Sequence, residues 1–199
     1  MHKNIDIRIK SVEPLATPAV LAAKLPVSEE LEQSITSSRT IVNDIIKGRD
    51  CRLLAIVGPC SIHDPAAAFD YAKKLRALAE EVSEKMYIVM RTYFEKPRTI
   101  GGWKGLIIDP KMDGSCDIQS GISIARKLLI DITSLGMPVG CEMLDPIVPQ
   151  YIDELLSWCA IGARTTESQT HRTLASGMSV AVGFKNSTSG ELAPALNAI

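Results

Sequence analysis

The stretch Arg52–Pro65, reading Arg-Leu-Leu-Ala-Ile-Val-Gly-Pro-Cys-Ser-Ile-His-Asp-Pro, most narrows what this chain can fold into. Leu53 to Val57 is an unbroken apolar run, the pattern of a strand buried on both faces of a parallel sheet. Gly58-Pro59 breaks it. Asp64-Pro65 then reads as an N-cap with proline at the first helical position, and an alanine-rich amphipathic segment follows. Strand, short loop and helix make a βα unit, and the loop between them holds Cys60, Ser61 and His63. In such units the loop after the strand is where chemistry sits.

The rest of the chain repeats this unit. Before it, Ser28 is an N-cap with Glu29 and Glu30 in the first turn, and Leu31, Ile35, Val42, Ile45 and Ile46 mark an apolar face closed by Lys47-Gly48. This helix is expected to cover the bottom of the sheet. After the first strand, a helix runs from Asp64 to about Lys85 with Phe69, Ala72, Leu75, Leu78, Ala79 and Val82 inward. Tyr87–Met90 is the second strand and ends in Arg91. A long basic, Gly-rich connection follows, then a helix from Ile118 to Leu135 closed by Gly136. Val139–Cys141 is the third strand, ending in Glu142. Tyr151 to Trp158 reads as a helix opened by Pro149, and Ala160–Ala163 as the fourth strand, ending in Arg164. Glu167 to Ala175 is a helix closed by Gly177. Val180–Phe184 is the fifth strand, ending in Lys185, and Leu192–Ile199 starts another helix.

Charge recurs at one point of each unit. Four strands end in Arg91, Glu142, Arg164 and Lys185, and the first runs into Cys60. Scattered surface charge has no reason to fall there. In a parallel α/β barrel the C-terminal strand ends converge on one face, so these groups would surround one cavity, with Lys96 and Arg98 on the loop above. Arginine forks suit carboxylate and phosphate oxygens, and lysine adds a compact charge. The expected ligand is a small molecule with several anionic groups. The competing reading is a ring of structural ion pairs. Cys60 stays open between small apolar filler and a soft metal ligand, while His63 and His171 read as hydrogen-bonding residues.

Composition removes other classes. A net charge of −1 over 199 residues gives no reason to expect nucleic acid or an anionic membrane as partner. No apolar run reaches the roughly 20 residues of a membrane helix, and Met-His-Lys-Asn-Ile-Asp lacks the apolar segment of a signal peptide. Five cysteines without framework spacing point to reduced thiols in a cytoplasm. Residues 1–50, an extension with Pro14, Pro18 and Pro26 followed by the bottom helix, and residues 51–199, the repeated units, are the expected division.

Five segments carry a resemblance: Gly58-Pro-Cys-Ser-Ile-His-Asp-Pro65, Arg91-Thr-Tyr-Phe-Glu-Lys-Pro-Arg-Thr99, Gly102-Trp-Lys-Gly105, Ile161-Gly-Ala-Arg-Thr-Thr-Glu-Ser168 and Gly183-Phe-Lys-Asn186. Together they resemble 3-deoxy-D-arabino-heptulosonate 7-phosphate (DAHP) synthase of the feedback-regulated bacterial type, the first enzyme of the shikimate pathway. The likeness is near-continuous from Arg52 to Gly190. It implies a (β/α)8 TIM barrel, of which this chain holds roughly the first five βα units. A whole barrel takes about 250 residues, so the chain is expected to be the N-terminal portion, inactive and aggregation-prone by itself.

The resemblance also implies roles. Arg91, Lys96, Glu142, Arg164 and Lys185 would be catalytic. Arg91, Ala163, Arg164 and Lys185 would hold phosphoenolpyruvate, and Lys96, Pro97, Arg98 and Thr99 would hold erythrose 4-phosphate. Cys60 would be a ligand of one divalent metal (Mn, Fe, Zn or Co), its other ligands being a His, a Glu and an Asp outside this chain. Asp6, Pro146, Gln150 and Ser179 would belong to a pocket for an aromatic amino acid effector, with wording around Pro146 nearer the tyrosine-sensitive form. A homodimer or homotetramer is implied. Two other readings remain: a Schiff-base aldolase with Lys185 as nucleophile, and a non-catalytic chain that binds an aromatic effector or caps an intact subunit.

Overall fold

Local capping chemistry sets the helices much as the sequence predicts. The computed structural model describes residues 4–9 and 11–199. Ser28 Oγ accepts from Leu31 N at 3.3 Å and opens α2 (Glu29–Ile46), and Gly48 closes it at φ +69°. Asp64 accepts from the backbone of Ala66 and Ala67 and opens α3 (Pro65–Glu81). Asp117 caps α4 (Ile118–Ser134), and Gly136 at φ +74° ends it.

The strands are β1 (Leu53–Val57), β2 (Met86–Arg91), β3 (Val139–Glu142), β4 (Trp158–Ile161) and β5 (Ala181–Phe184). They form one parallel sheet in the order β1-β2-β3-β4-β5. Neighbours in sequence are neighbours in space, with no reversal of direction. That is the order of a barrel rather than of a doubly wound sheet. Helices α3 and α4 cover the sheet through Ala68, Ala72, Leu75, Ile122, Ala125, Leu129 and Ile132, which pack with Ile88, Met90 and Val139. On the sheet itself the Trp158 indole lies between two glycines: a Cβ on Gly140 would meet it at 3.0 Å, and one on Gly183 at 2.5 Å. No larger residue fits either position with the indole where it stands.

α2 packs at the entry side of the sheet. From α2, Arg39 donates to the carbonyls of Asp153 and Leu156 just ahead of β4. The extension before it is anchored as well. Ala16 N donates to Gln119 Oε1 at 2.7 Å, Tyr151 Oη donates to Ala16 O at 2.9 Å, and Leu21 of α1 (Pro18–Lys24) is buried.

Several expectations are corrected. β1 is not buried on both faces: it is an edge of this sheet, with Leu53 62% exposed. Leu78 and Ile46 face solvent instead of the core, because each lies at the margin of its helix's apolar stripe. The helix foreseen from Tyr151 to Trp158 is a four-residue α5 (Pro149–Ile152) and a 3₁₀ turn over Asp153–Leu155. Trp158 instead opens β4, which ends at Ile161; the fourth strand therefore lies two residues earlier than foreseen. Arg164 stands three residues beyond the strand, in a turn. α6 begins at Gln169 and runs to Gly177, and α7 is only Ala193–Leu196.

Candidate active site

Every strand delivers a polar group to the same end of the sheet. Gly58, directly after β1, lets that strand's exit run against β2, since a Cβ there would lie 2.7 Å from Arg91 O. The following loop is pinned by Ile62 N donating to Tyr93 O at 2.7 Å. After β2 the chain turns back on itself: Glu95 pairs with Gly105, and Lys96 N donates to Lys104 O at 2.9 Å. Gly105 has φ +112° and its Cα lies against the Phe94 carbonyl, so a side chain cannot stand there. This turn swings Lys96, Pro97 and Arg98 over the strand ends.

The result is one cavity of about 230 Å³ lined by Cys60, Arg91, Tyr93, Glu95, Lys96, Pro97, Arg98, Glu142, Ala163, Arg164 and Lys185. The residues expected there from strand ends and from the resemblance come together from the exits of all five strands, although Cys60 and Lys185 are 125 positions apart in sequence. Thr99 joins through Arg164, whose Nε donates to Thr99 Oγ1 at 2.9 Å. Arg98 is steadied by its Nε donating to Trp103 O at 2.9 Å.

Five cations and two carboxyls make the lining strongly positive. Lys185 Nζ pairs with Glu142 Oε2 at 3.1 Å. Lys96 Nζ lies 3.4 Å from Cys60 Sγ, and Arg91 donates to Cys60 O at 3.2 Å. The Arg91 guanidinium stacks on Tyr93, with its carbon 3.9 Å from the ring centroid, and Lys185 Nζ lies 5.0 Å from the same centroid. Arg91 Nε is buried and has no hydrogen-bond acceptor among the described residues. A buried cationic donor without an acceptor is costly unless a ligand supplies one.

Gly162 makes room for the Glu142 carboxylate, because a Cβ there would stand 2.1 Å from its Oε1. Gly162→Ala is expected to displace the carboxylate, break its pair with Lys185 and destabilise the fold by about 1–3 kcal/mol. Chemical denaturation checks this, and an unchanged midpoint and slope would contradict it.

Two lining residues, Tyr93 and Glu95, were not picked out from the sequence. Burial raises the Tyr93 hydroxyl well above its ordinary range. Glu95 is buried, and its Oε2 accepts from Asp145 N at 3.4 Å. Burial first, then the Asp145 and Glu142 charges, push its carboxyl up to about 7, against N–H bonds from Asp145 and Leu144. The folded protein therefore keeps, between about pH 4.5 and 7, a proton that the unfolded chain has released. Stability should fall as pH rises through that window. Glu95→Gln removes this dependence, and the variant should gain about 3 kcal/mol on the parent by pH 8. Urea titrations of both proteins at either side of the window check it, and parallel curves would contradict it.

The remaining predicted residues are more scattered. Pro146 lines a neighbouring groove of about 310 Å³ that shares Glu95, Lys96, Pro97 and Arg98 with the first cavity. Gln150 on α5, Ser179 before β5 and Asp6 at a positive-φ turn are exposed and do not line that groove. Residues 1–3 and 10 of the expected arm lie outside the described residues. Cys60 is exposed, and no group of three or more His, Cys, Asp or Glu suited to a metal occurs among the described residues. Among the described residues, Cys60 is the one thiol that lines the cavity. No described helix is long and apolar enough to cross a membrane.

A parallel five-stranded sheet in barrel order, with a cationic cavity at its strand ends, is part of an α/β barrel. The chain belongs to the DAHP synthetase I family, whose profile matches residues 24–199. It is 57% identical over 194 residues to the Tyr-sensitive phospho-2-dehydro-3-deoxyheptonate aldolase of Salmonella typhimurium, covering 98% of this chain and 54% of that protein. It is 54% identical over 198 residues to the Phe-sensitive protein of Escherichia coli K12, covering all of this chain and 57% of that one. The solved phospho-2-dehydro-3-deoxyheptonate aldolase of Francisella tularensis SCHU S4 matches with a TM-score of 0.93 at 48% identity, over 96% of this chain and 56% of that one. The chain therefore spans about half the length of the relatives it matches.

Proposed function

We propose that these residues form the phosphoenolpyruvate-binding half of a 3-deoxy-7-phosphoheptulonate synthase site. The observation that carries the reading is the convergence of Arg91, Lys96, Arg98, Arg164 and Lys185 on one cavity, with Arg91 Nε buried and unsatisfied. Arg91, Arg164 and Lys185, with the backbone at Ala163, hold the phosphate and carboxylate of phosphoenolpyruvate. Lys96, Pro97, Arg98 and Thr99 hold erythrose 4-phosphate above it. Bringing two anions together is the principal barrier, and the cationic lining removes it by charge compensation and positioning.

In the reaction the enol carbon of phosphoenolpyruvate bonds to the aldehyde carbon, whose oxygen takes a proton. Water adds to the adjacent carbon, and the bond from that carbon to the phosphate oxygen breaks. Glu142, paired with Lys185, orients that water. Cys60 is the chain's one proposed ligand for a divalent metal, which when bound supplies Lewis-acid polarisation of the aldehyde. The Schiff-base alternative is disfavoured because Lys185 Nζ is engaged by Glu142 Oε2 at 3.1 Å instead of standing free toward a carbonyl. Phosphorus NMR of the full-length protein with both substrates and Mn²⁺ tests the reading. Phosphate release that requires erythrose 4-phosphate supports it, and release without the aldehyde, or none at all, rejects it.

Regulation by an aromatic amino acid is part of the same proposal: Pro146 lines the groove, Gln150 and Ser179 are exposed outside it, and a homo-oligomer brings Asp6 of a neighbour's arm to this face. Deleting residues 1–12 should abolish inhibition and spare turnover. An unmoved inhibition constant would assign the arm a purely structural role.

A further inference from the structure

Glu95 has no partner of opposite charge among the described residues. It sits in the wall common to the cavity and the Pro146 groove, 6% exposed. The neighbouring cations are engaged elsewhere: Lys185 with Glu142, Lys96 with Cys60 Sγ, Arg98 with Trp103 O, Arg164 with Thr99 and Arg91 with Cys60 O. Each element around it contributes ionisable groups. β3 and its loop bring Cys141, Glu142 and Asp145, and β2 and its exit bring Arg91 and Tyr93. β5 brings Lys185, the turn after β4 Arg164, the loop after β1 Cys60, the returning segment Lys104, and its own loop Lys96 and Arg98. An anion in the cavity draws those cations to itself. Glu95 is then left between Asp145, Glu142 and the ligand's own negative charge. An ionised carboxylate is disfavoured there, whereas a neutral acid can donate to a phosphate or carboxylate oxygen.

We propose that Glu95 is a ligand-contacting acid, taking a proton from solvent when a phosphate-bearing anion fills the cavity and donating that O–H to a ligand oxygen. This rests on the phosphoenolpyruvate reading of the cavity and adds to it a proton linkage: each ligand bound brings one proton, and no bond of the ligand is broken. Burial keeps the empty-site carboxyl near neutrality, so the uptake is largest on the alkaline side.

Calorimetric titration of the full-length protein with phosphoenolpyruvate, in buffers of different ionisation enthalpy, measures the uptake. It should approach one proton near pH 8 and fall toward zero near pH 6. Glu95→Gln, whose amide donates without titrating, should bind with no uptake, and its affinity should lose the corresponding pH dependence. Infrared difference spectra of the unmodified protein give a second measurement, in which a neutral-carboxyl band should grow on ligand binding. Binding without proton uptake, uptake that persists in the Gln variant, or no such band overturns the proposal while leaving the proposed function standing. No binding of phosphoenolpyruvate at all overturns both.

Discussion

Arg164→Ala is expected to weaken phosphoenolpyruvate binding by about 3 kcal/mol, roughly a hundredfold in affinity. The size follows from the chemistry of the guanidinium. It offers parallel donors to an anion, and charge-assisted bonds are worth more than neutral ones because the water they replace is not restored. Arg164 is held at the cavity by Thr99, on a turn that pins Thr166 Oγ1 to the carbonyls of Gly162 and Lys185. The substitution should therefore remove charge without moving the turn. Equilibrium titration with phosphoenolpyruvate gives the answer directly, and an unchanged dissociation constant would remove Arg164 from the site.

The second large effect belongs to Cys60. In the full-length protein, Cys60→Ser should abolish tight divalent-metal binding and reduce turnover by orders of magnitude, because a thiolate is a far stronger ligand than a hydroxyl for the borderline-soft metals. Metal content after dialysis is the readout that separates the ligand role from packing. Cys60 is exposed at the cavity and Cys141 and Cys159 are buried in the sheet, so the same substitution at Cys159 should leave metal content intact. Full retention of metal by Cys60→Ser would return the residue to the role of filler.

The strand ends were legible because β2, β3 and β5 are short runs stopped by a charged residue, and a parallel sheet turns that repeat into proximity. Arg91, Glu142 and Lys185 needed no more than this. β4 was misread for a physical reason: Leu155-Leu156-Ser-Trp-Cys-Ala-Ile has no glycine or proline to mark where helix gives way to strand. A short apolar run has no helical or strand signature of its own. Glu95 was hidden because its location depends on the pairing with Gly105, four residues beyond the end of β2. Local sequence says only that it follows Phe94. The anchoring of Ala16 was equally invisible, since it depends on Gln119 and Tyr151, more than a hundred residues away.

The most direct measurement is a crystal structure of the full-length protein with phosphoenolpyruvate bound. The account predicts the ligand at the C-terminal ends of the strands, with its phosphate and carboxylate oxygens within hydrogen-bonding distance of Arg91, Arg164 and Lys185. Arg91 Nε, buried and without an acceptor among the described residues, should gain one. A ligand found instead in the larger groove of about 510 Å³ between α3 and α4, against Phe69 and Leu128, or any ligand that leaves the three cations untouched, would contradict it.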